Sequence, residues 1–259
     1  MPLDASAFID FLDLIEGDND LGLKMGRFLQ TEIPGAIADP WQTEAFSSDA
    51  ETVALLVCRQ AGKSCVLAAR GVREMERGGT TICLAPAERQ TREITRKVAR
   101  YLKTTNLVIE RSTLTEIEAN NGSRFIAVPA SGATIRGYTA DLLLVDECAF
   151  LPNDDAVISS ILPMLKDNGQ AFYASTPAGK GNLFAQMFLE PQEAVHRIKV
   201  PGTSIPRLKA KVDRLRRTLS ATRFRAEVMC EFLADGVSYF DLSVIEQATS
   251  QEKAICPIL

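Results

Sequence analysis

No uninterrupted apolar run in this chain approaches the ~18–20 residues needed to cross a bilayer. The N-terminus also lacks the basic-then-apolar pattern of a secretory signal. Its six cysteines (Cys58, Cys65, Cys83, Cys148, Cys230 and Cys256) form no C-x-x-C pair, which argues against a zinc site. Most of them sit in apolar strand- or helix-like segments, as buried thiols do, so a cytoplasmic, reducing setting is expected. The single histidine, His196, falls in a β-like run with no nucleophile nearby and reads as a packed or surface residue. There is no internal repeat and no low-complexity segment. One further absence is local: a glycine is missing at Val57.

Val57 opens the stretch Val57-Cys58-Arg59-Gln60-Ala61-Gly62-Lys63-Ser64, a phosphate-binding loop without its usual leading glycine. The chemical end of the motif is intact. Gly62 lets the backbone close around phosphate oxygens, Lys63 can reach the β- and γ-phosphates, and the Ser64 hydroxyl can ligate Mg²⁺. The nucleotide-binding set is therefore Arg59, Gln60, Ala61, Gly62, Lys63 and Ser64, with Arg59 placed beside the phosphates.

With 259 residues, 46% apolar and 24% charged, the chain has room for one large α/β domain with a small appendage. The net charge of −4 hides a division of sign. Asp4, Asp10, Asp13, Glu16, Asp18 and Asp20 precede the first basic residue, Lys24, whereas Arg197 to Arg225 is strongly basic with Asp213 as its one acid. A block of that sign either meets phosphates or forms a solvated helix face.

The order of elements is that of an α/β sheet protein. Residues 5 to 33 suggest one or two amphipathic helices, and Pro40-Trp41-Gln42-Thr43-Glu44 opens a short one. Thr52 to Cys58 fits a buried strand, Lys63 to Arg77 a helix ended by Gly78-Gly79, Thr81 to Ala85 a strand, and Glu88 to Lys103 a helix. Leu107 to Glu118 and Ser123 to Val128 are β-like runs joined through Asn120-Asn121-Gly122, a hairpin signal. Leu142 to Val145 is an apolar strand, Asp154 to Leu165 a helix, and Ala171 to Ala174 a strand ending at Ser175-Thr176-Pro177. Phe184 to Leu189, a strand at Val195 to Val200, and two basic helices after Pro206 complete the order. Strands alternating with helices around a phosphate loop predict a mostly parallel central sheet flanked by helices, a P-loop NTPase fold.

The second chemical signal is Asp141-Leu142-Leu143-Leu144-Val145-Asp146-Glu147. A buried strand delivers Asp146 at its C-terminal edge to hold Mg²⁺, and Glu147 follows as the general base for the attacking water. Adjacent Asp-Glu suits ATPases that convert hydrolysis into movement. Such machines carry an extra strand between the two motif strands, and Thr81 to Ala85 qualifies. Ser175 and Thr176, ending the next apolar strand, stand where a polar sensor couples hydrolysis to motion. Gln42 can read an adenine edge through one donor and one acceptor. Two arginines compete to stabilise charge on the transferred phosphoryl group: Arg59 in cis, and Arg136 reaching a neighbouring subunit's nucleotide.

These residues resemble the large terminase subunits of tailed bacteriophages and their herpesvirus relatives. The match rests on Arg59 to Ser64 without the leading glycine, Leu142 to Glu147, Ala174-Ser175-Thr176-Pro177 with Gly179, and Pro40-Trp41-Gln42. It extends to Ile82-Cys83-Leu84-Ala85-Pro86 and to Arg223-Phe224-Arg225-Ala226-Glu227 with Glu231-Phe232. The resemblance implies an ATP- and Mg²⁺-dependent motor that packages double-stranded DNA into a procapsid. By the same likeness it works as a homo-oligomeric ring, a pentamer, on the portal protein, with a small terminase subunit as partner. It would sit in the host cytoplasm and dock transiently on the procapsid, with no membrane involved. The expected layout is an ATPase core over 1–200, a small helical lid over 201–240 and a tail over 241–259.

Relatives of this kind continue into a nuclease domain, and the tail after Phe240 has no room for one, so no nuclease activity is expected of this chain. Two alternatives compete with the motor: a superfamily-2 helicase-like DNA translocase, and a non-hydrolysing, nucleotide-gated DNA-binding module. Candidate DNA contacts are Arg111 and Arg124 around the hairpin, and the cluster Arg214, Arg216 and Arg217.

Overall fold

In the computed structural model, which describes residues 20–130, 137–190 and 194–233, apolar runs of β-branched and leucine residues build a single mixed sheet. Its strands are β1 (Thr52–Val57), β2 (Thr80–Ala85), β3 (Ile109–Ser112) and β4 (Glu116–Ala119), followed by β5 (Arg124–Pro129), β6 (Ala140–Asp146), β7 (Leu165–Ser175) and β8 (Val195–Val200). They lie in the order β3-β4-β5-β2-β6-β7-β1-β8. The run from β5 to β8 is parallel, and β3 and β4 add an antiparallel edge. The near-continuous apolar composition of β1, β2 and β6 follows from that position, since strands covered on both faces have no polar side.

This order corrects one expectation. The strand between β1 and β6 is not Thr80–Ala85 but β7, which pairs with both. β2 lies on the far side of β6. The correction matters because it brings the tip of β7, Ser175, between the two strands that carry the phosphate loop and the acidic pair.

Residues 20–30 form helix α1, followed by α2 (Pro40–Ser47), α3 (Lys63–Glu76), α4 (Glu88–Leu102), α5 (Asp154–Ile161), α6 (Leu183–Leu189), α7 (Lys209–Thr218) and α8 (Ala221–Glu227). Pro163 stops α5 short of the expected Leu165, and the chain passes through a 3-10 turn at Leu162–Met164 instead. The β-like run Leu107 to Glu118 divides into two strands, because the Thr113 hydroxyl turns the chain by accepting from the Glu116 N–H at 2.9 Å. The hairpin at Asn120-Asn121-Gly122 forms as expected, with Gly122 at φ +79°.

Arg70, on α3, is 1% exposed and fixes the helix carrying the phosphate loop. It donates to the Phe46 carbonyl of α2 at 3.0 Å and to the Gln170 side chain of β7, and its guanidinium lies 4.7 Å from the Phe172 ring centroid. Burial pulls its pKa down to about 9. α3, α2 and β7 are thereby tied at one point.

Gly71, next along α3, permits a second close approach. A Cβ there would lie 2.7 Å from Cε2 of Phe125, a fully buried ring of β5. Gly71→Ala should therefore cost about 1–3 kcal/mol of stability and lower the thermal midpoint, although alanine favours an exposed helix by ~1 kcal/mol. Calorimetric unfolding showing an unchanged or raised midpoint would contradict this packing.

Candidate nucleotide site

Residues 58–62 carry the chain from β1 into α3. Val57 is the last residue of β1, fully buried and paired with Val200 of β8. The position of the missing glycine is thus ordinary extended strand, where valine fits. The loop reverses later, at Gln60 (φ +61°) and Gly62 (φ +104°). Glycine is required at 62 for a further reason: a Cβ would sit 2.6 Å from Nε2 of Gln42. The first turn of α3 then presents N–H groups to the loop, where an anion is favoured.

Around this turn the ends of three strands converge. Lys63, 7% exposed, places Nζ 3.2 Å from Oε1 of Glu147. The Ser64 hydroxyl donates to Oδ2 of Asp146 at 3.4 Å. Glu147 adopts a left-handed conformation (φ +50°), and its N–H donates to Oδ1 of Asp146 at 3.1 Å. From β7, the Ser175 hydroxyl donates to Oε2 of Glu147 at 3.4 Å and accepts from the Ala149 N–H at 3.3 Å. Thr176 is also buried, and its hydroxyl has no protein partner. The arrangement brings together an ammonium, two hydroxyls and two carboxylates at the mouth of the loop.

Asp146 is the strained member. Burial, and secondarily the Glu147 carboxylate, push its pKa up to about 6 against the pull of Lys63. The donor set fits Mg²⁺, because a buried carboxylate beside a hydroxyl supplies hard oxygen ligands and lacks a full countercharge.

The cleft over the loop has a volume of about 590 Å³, within the range of small-ligand sites, and Gln42, Arg59, Gln60, Gly62, Lys63 and Ser64 line part of it. Other residues singled out by sequence lie as follows. Arg59 pairs with Glu227 of α8 at 2.5 Å. Gln42 is 1% exposed, and its Oε1 accepts from the Asp39 N–H at 2.9 Å, capping α2. Ala61 is fully buried, and its carbonyl accepts from Arg207. Arg136 falls outside the described residues. Arg124 is committed to Glu116 at 2.5 Å and lies over the Tyr138 ring, whereas Arg111 is exposed on the edge strand β3. Arg214, Arg216 and Arg217 are exposed on α7. His196 bonds Ser48 and Glu44 near the surface.

Three neighbours of the loop were not singled out by sequence as site residues: Arg207, Lys211 and Glu227. Arg207 donates to both Asp39 and the Ala61 carbonyl, and Lys211 to the Gln60 side chain. The basic block from Arg197 to Arg225 was the available signal. Only the fold shows which of its members face the loop.

The shift at Asp146 has a testable sign. Its folded pKa of about 6 exceeds the ordinary 3.8, so the native state binds more protons between those values. The stability it contributes therefore falls as pH rises through that window. Without nucleotide or Mg²⁺, Asp146→Asn should be more stable than wild type at pH 7.5 by about 3 kcal/mol. The difference should shrink toward pH 4 in parallel denaturation curves. Equal or lower stability at pH 7.5 would contradict the assignment.

The family profile described as "Terminase large subunit, T4likevirus-type, N-terminal" matches residues 55–247. Comparison with curated protein sequences gave no match. Among solved structures, the large terminase ATPase domain of Thermus phage P74-26 superposes with a TM-score of 0.67 at 22% identity, covering 78% of this chain and 96% of that one. A large terminase from a thermophilic bacteriophage, in complex with ADP, superposes at 0.63 with 14% identity, covering 75% and 53%. The HK97 bacteriophage large terminase superposes at 0.61 with 13% identity, covering 81% and 55%. The chain thus spans about half the length of the latter two proteins. At these identities the likeness establishes the P-loop fold, and the profile match, over most of the chain, establishes the family. This chain belongs to the terminase large subunits, and the match falls on their N-terminal part.

Proposed function

We propose that this chain is the ATP-hydrolysing part of a motor that drives double-stranded DNA into a viral procapsid. The observation that supports it is the connected set Lys63, Ser64, Asp146, Glu147 and Ser175 across the ends of β1, β6 and β7. Lys63 and the N–H groups of the loop bind the β- and γ-phosphates. Ser64 and Asp146 hold Mg²⁺, which when bound neutralises charge on the phosphate oxygens. Glu147 orients the attacking water and takes its proton. Ser175, bonded to Glu147, and the neighbouring Thr176 couple loss of the γ-phosphate to movement of β7.

The finger that stabilises the transferred phosphoryl group is assigned to Arg136 of an adjacent subunit in a ring. Arg59 already has a carboxylate partner, Glu227 of α8. Arg136 stands just before β6, whose end carries Asp146 and Glu147. DNA meets the exposed Arg214, Arg216 and Arg217 of the lid helices rather than Arg124, whose charge is taken by Glu116. In the cell the ring docks on a portal protein with a small terminase subunit as partner.

Glu147→Gln should cut ATP turnover by roughly 10²–10⁴-fold while leaving ATP affinity within a few fold. Arg136→Ala should also be inactive, and mixing the two variants should restore part of the turnover. Phosphate release from the mixture no higher than from either variant alone would exclude a trans arginine. Full activity of Glu147→Gln by itself would overturn the whole mechanism.

The DNA assignment has its own check. Replacing Arg214, Arg216 and Arg217 together by alanine should weaken duplex binding and flatten its dependence on salt, by a slope change of about 1 per lost phosphate contact. An unchanged slope, measured by fluorescence anisotropy across a salt series, would place the DNA elsewhere.

A further inference from the structure

A second cavity, of about 490 Å³, adjoins the nucleotide cleft, and Arg59 and Gln60 line both. Its other walls come from the last two helices: Val212 and Leu215 of α7, Leu219 just past it, Ala226 of α8 and Val228 just past that. Leu215, Leu219 and Ala226 are only half-buried, so an apolar trough opens to solvent between the two helices. Cations line it as well. Lys211 and Arg223 stand in the same cavity beside the Arg59–Glu227 pair. Lys211 donates to the neutral side chain of Gln60, and among the described residues neither it nor Arg223 has a carboxylate partner. Apolar walls under unpaired cations suit an apolar stripe flanked by carboxylates, received as a helix in a groove.

The chain carries such a stripe. Phe8, Phe11, Leu12 and Ile15 recur at helical spacing, and Asp10, Asp13 and Glu16 are interleaved with them. No lysine or arginine precedes Lys24. The stretch after residue 233 is the poorer match in charge: Phe240 to Ala248 holds two acids, Asp241 and Glu246, where Phe8 to Glu16 holds three. The described residues begin at residue 20, and a short chain of contacts leads from there to the trough. A Cβ on Gly22 of α1 would lie 3.5 Å from Cγ2 of Thr43 on α2, whose N–H donates to the Asp39 carbonyl at 3.2 Å. Asp39 holds Arg207 at 2.7 Å, and Leu208, next in the chain, lines the cavity. Residues 8–19 span about 25 Å with the first nine at helical rise, which is of the order of that path.

We propose that residues 8–16 dock in the trough of their own chain. Phe8, Phe11, Leu12 and Ile15 lie against α7 and α8, and Asp10, Asp13 and Glu16 face Lys211, Arg223 and the basic residues beyond them. Because Arg59 and Gln60 belong to the same wall, the docked segment braces the two helices on the phosphate loop.

The test is cross-linking of the full chain with a short bismaleimide, using wild type as background, since Cys58, Cys83, Cys148 and Cys230 are buried. Leu12→Cys combined with Leu219→Cys should link in more than about half of the molecules in dilute solution, as a tethered segment at high effective concentration does. The product should have the mass of one chain, and Ala226→Cys in place of Leu219→Cys should give the same result. Leu12→Cys combined with Glu110→Cys, on the sheet edge opposite β8, should link at least about fivefold less. Replacing Asp10, Asp13 and Glu16 by Asn, Asn and Gln should cut the link to Leu219→Cys roughly threefold at low salt and remove its salt dependence. In hydrogen exchange, Phe11→Ser with Leu12→Ser should speed the amides of residues 209–227 by roughly tenfold or more and leave those of α4 unchanged. Products of twice the chain mass would put the segment on a neighbouring copy, and equal links to both test positions would show that it has no seat. Unchanged exchange in the Phe11→Ser, Leu12→Ser variant would give the trough to the residues after 233 or to another molecule. Any of these three results overturns the proposal.

Discussion

Lys63 and the acidic pair Asp146-Glu147 face one another at the mouth of the loop, and the fold must hold them there. An ammonium 3.2 Å from a carboxylate, with a second carboxylate buried beside it, cannot be left to chance packing. Each group loses water, and the mutual attraction offsets that loss only while the geometry holds. The sheet order meets the requirement by placing β7 between β1 and β6. The two charged strand ends are then one strand apart, far enough for a phosphate and near enough for contact. Ser175 occupies the middle position and bonds Glu147.

The second layer of support is farther from the chemistry and weaker. α7 and α8 reach the loop through Arg207, Lys211 and Glu227, which engage Asp39, Ala61, Gln60 and Arg59. The Arg59–Glu227 pair is well exposed, and exposed ion pairs contribute about 0–1 kcal/mol. What seats these helices more firmly is apolar packing: a Cβ at Gly202 would lie 3.2 Å from Val212 and 3.0 Å from Val228. Cys58, just after β1, packs against the same glycine, so α7, the end of α8 and the loop that follows β1 share one small apolar seam. Burial raises the Cys58 thiol pKa, which keeps that contact apolar.

Much of this was legible in the sequence because the relevant signals are local. The Gly62-Lys63-Ser64 turn, the apolar run into Asp146-Glu147 and the Ser175-Thr176 strand end each declare themselves within a few residues. The order of the strands does not, because pairing is long range. Thr80–Ala85 and Leu165–Ser175 both end in apolar runs, and nothing local tells which lies between β1 and β6. Partner choice was hidden for the same reason. Arg59, Gln42 and Arg124 each carry a side chain suited to a ligand, and each also meets a protein partner that no local signal announces: Glu227, the Asp39 N–H and Glu116. The missing glycine at Val57 is explained only by register, since the residue proves to be strand paired with Val200 and the chain turns at residues 60 and 62.

Whether the loop and the acidic pair form one hydrolytic centre is tested most plainly by phosphate release from Mg-ATP, compared between wild type and Lys63→Ala. Measurable turnover is expected in wild type and none above background in the variant, with both proteins showing the same folded spectrum by circular dichroism. Equal turnover in the two proteins would contradict a shared centre.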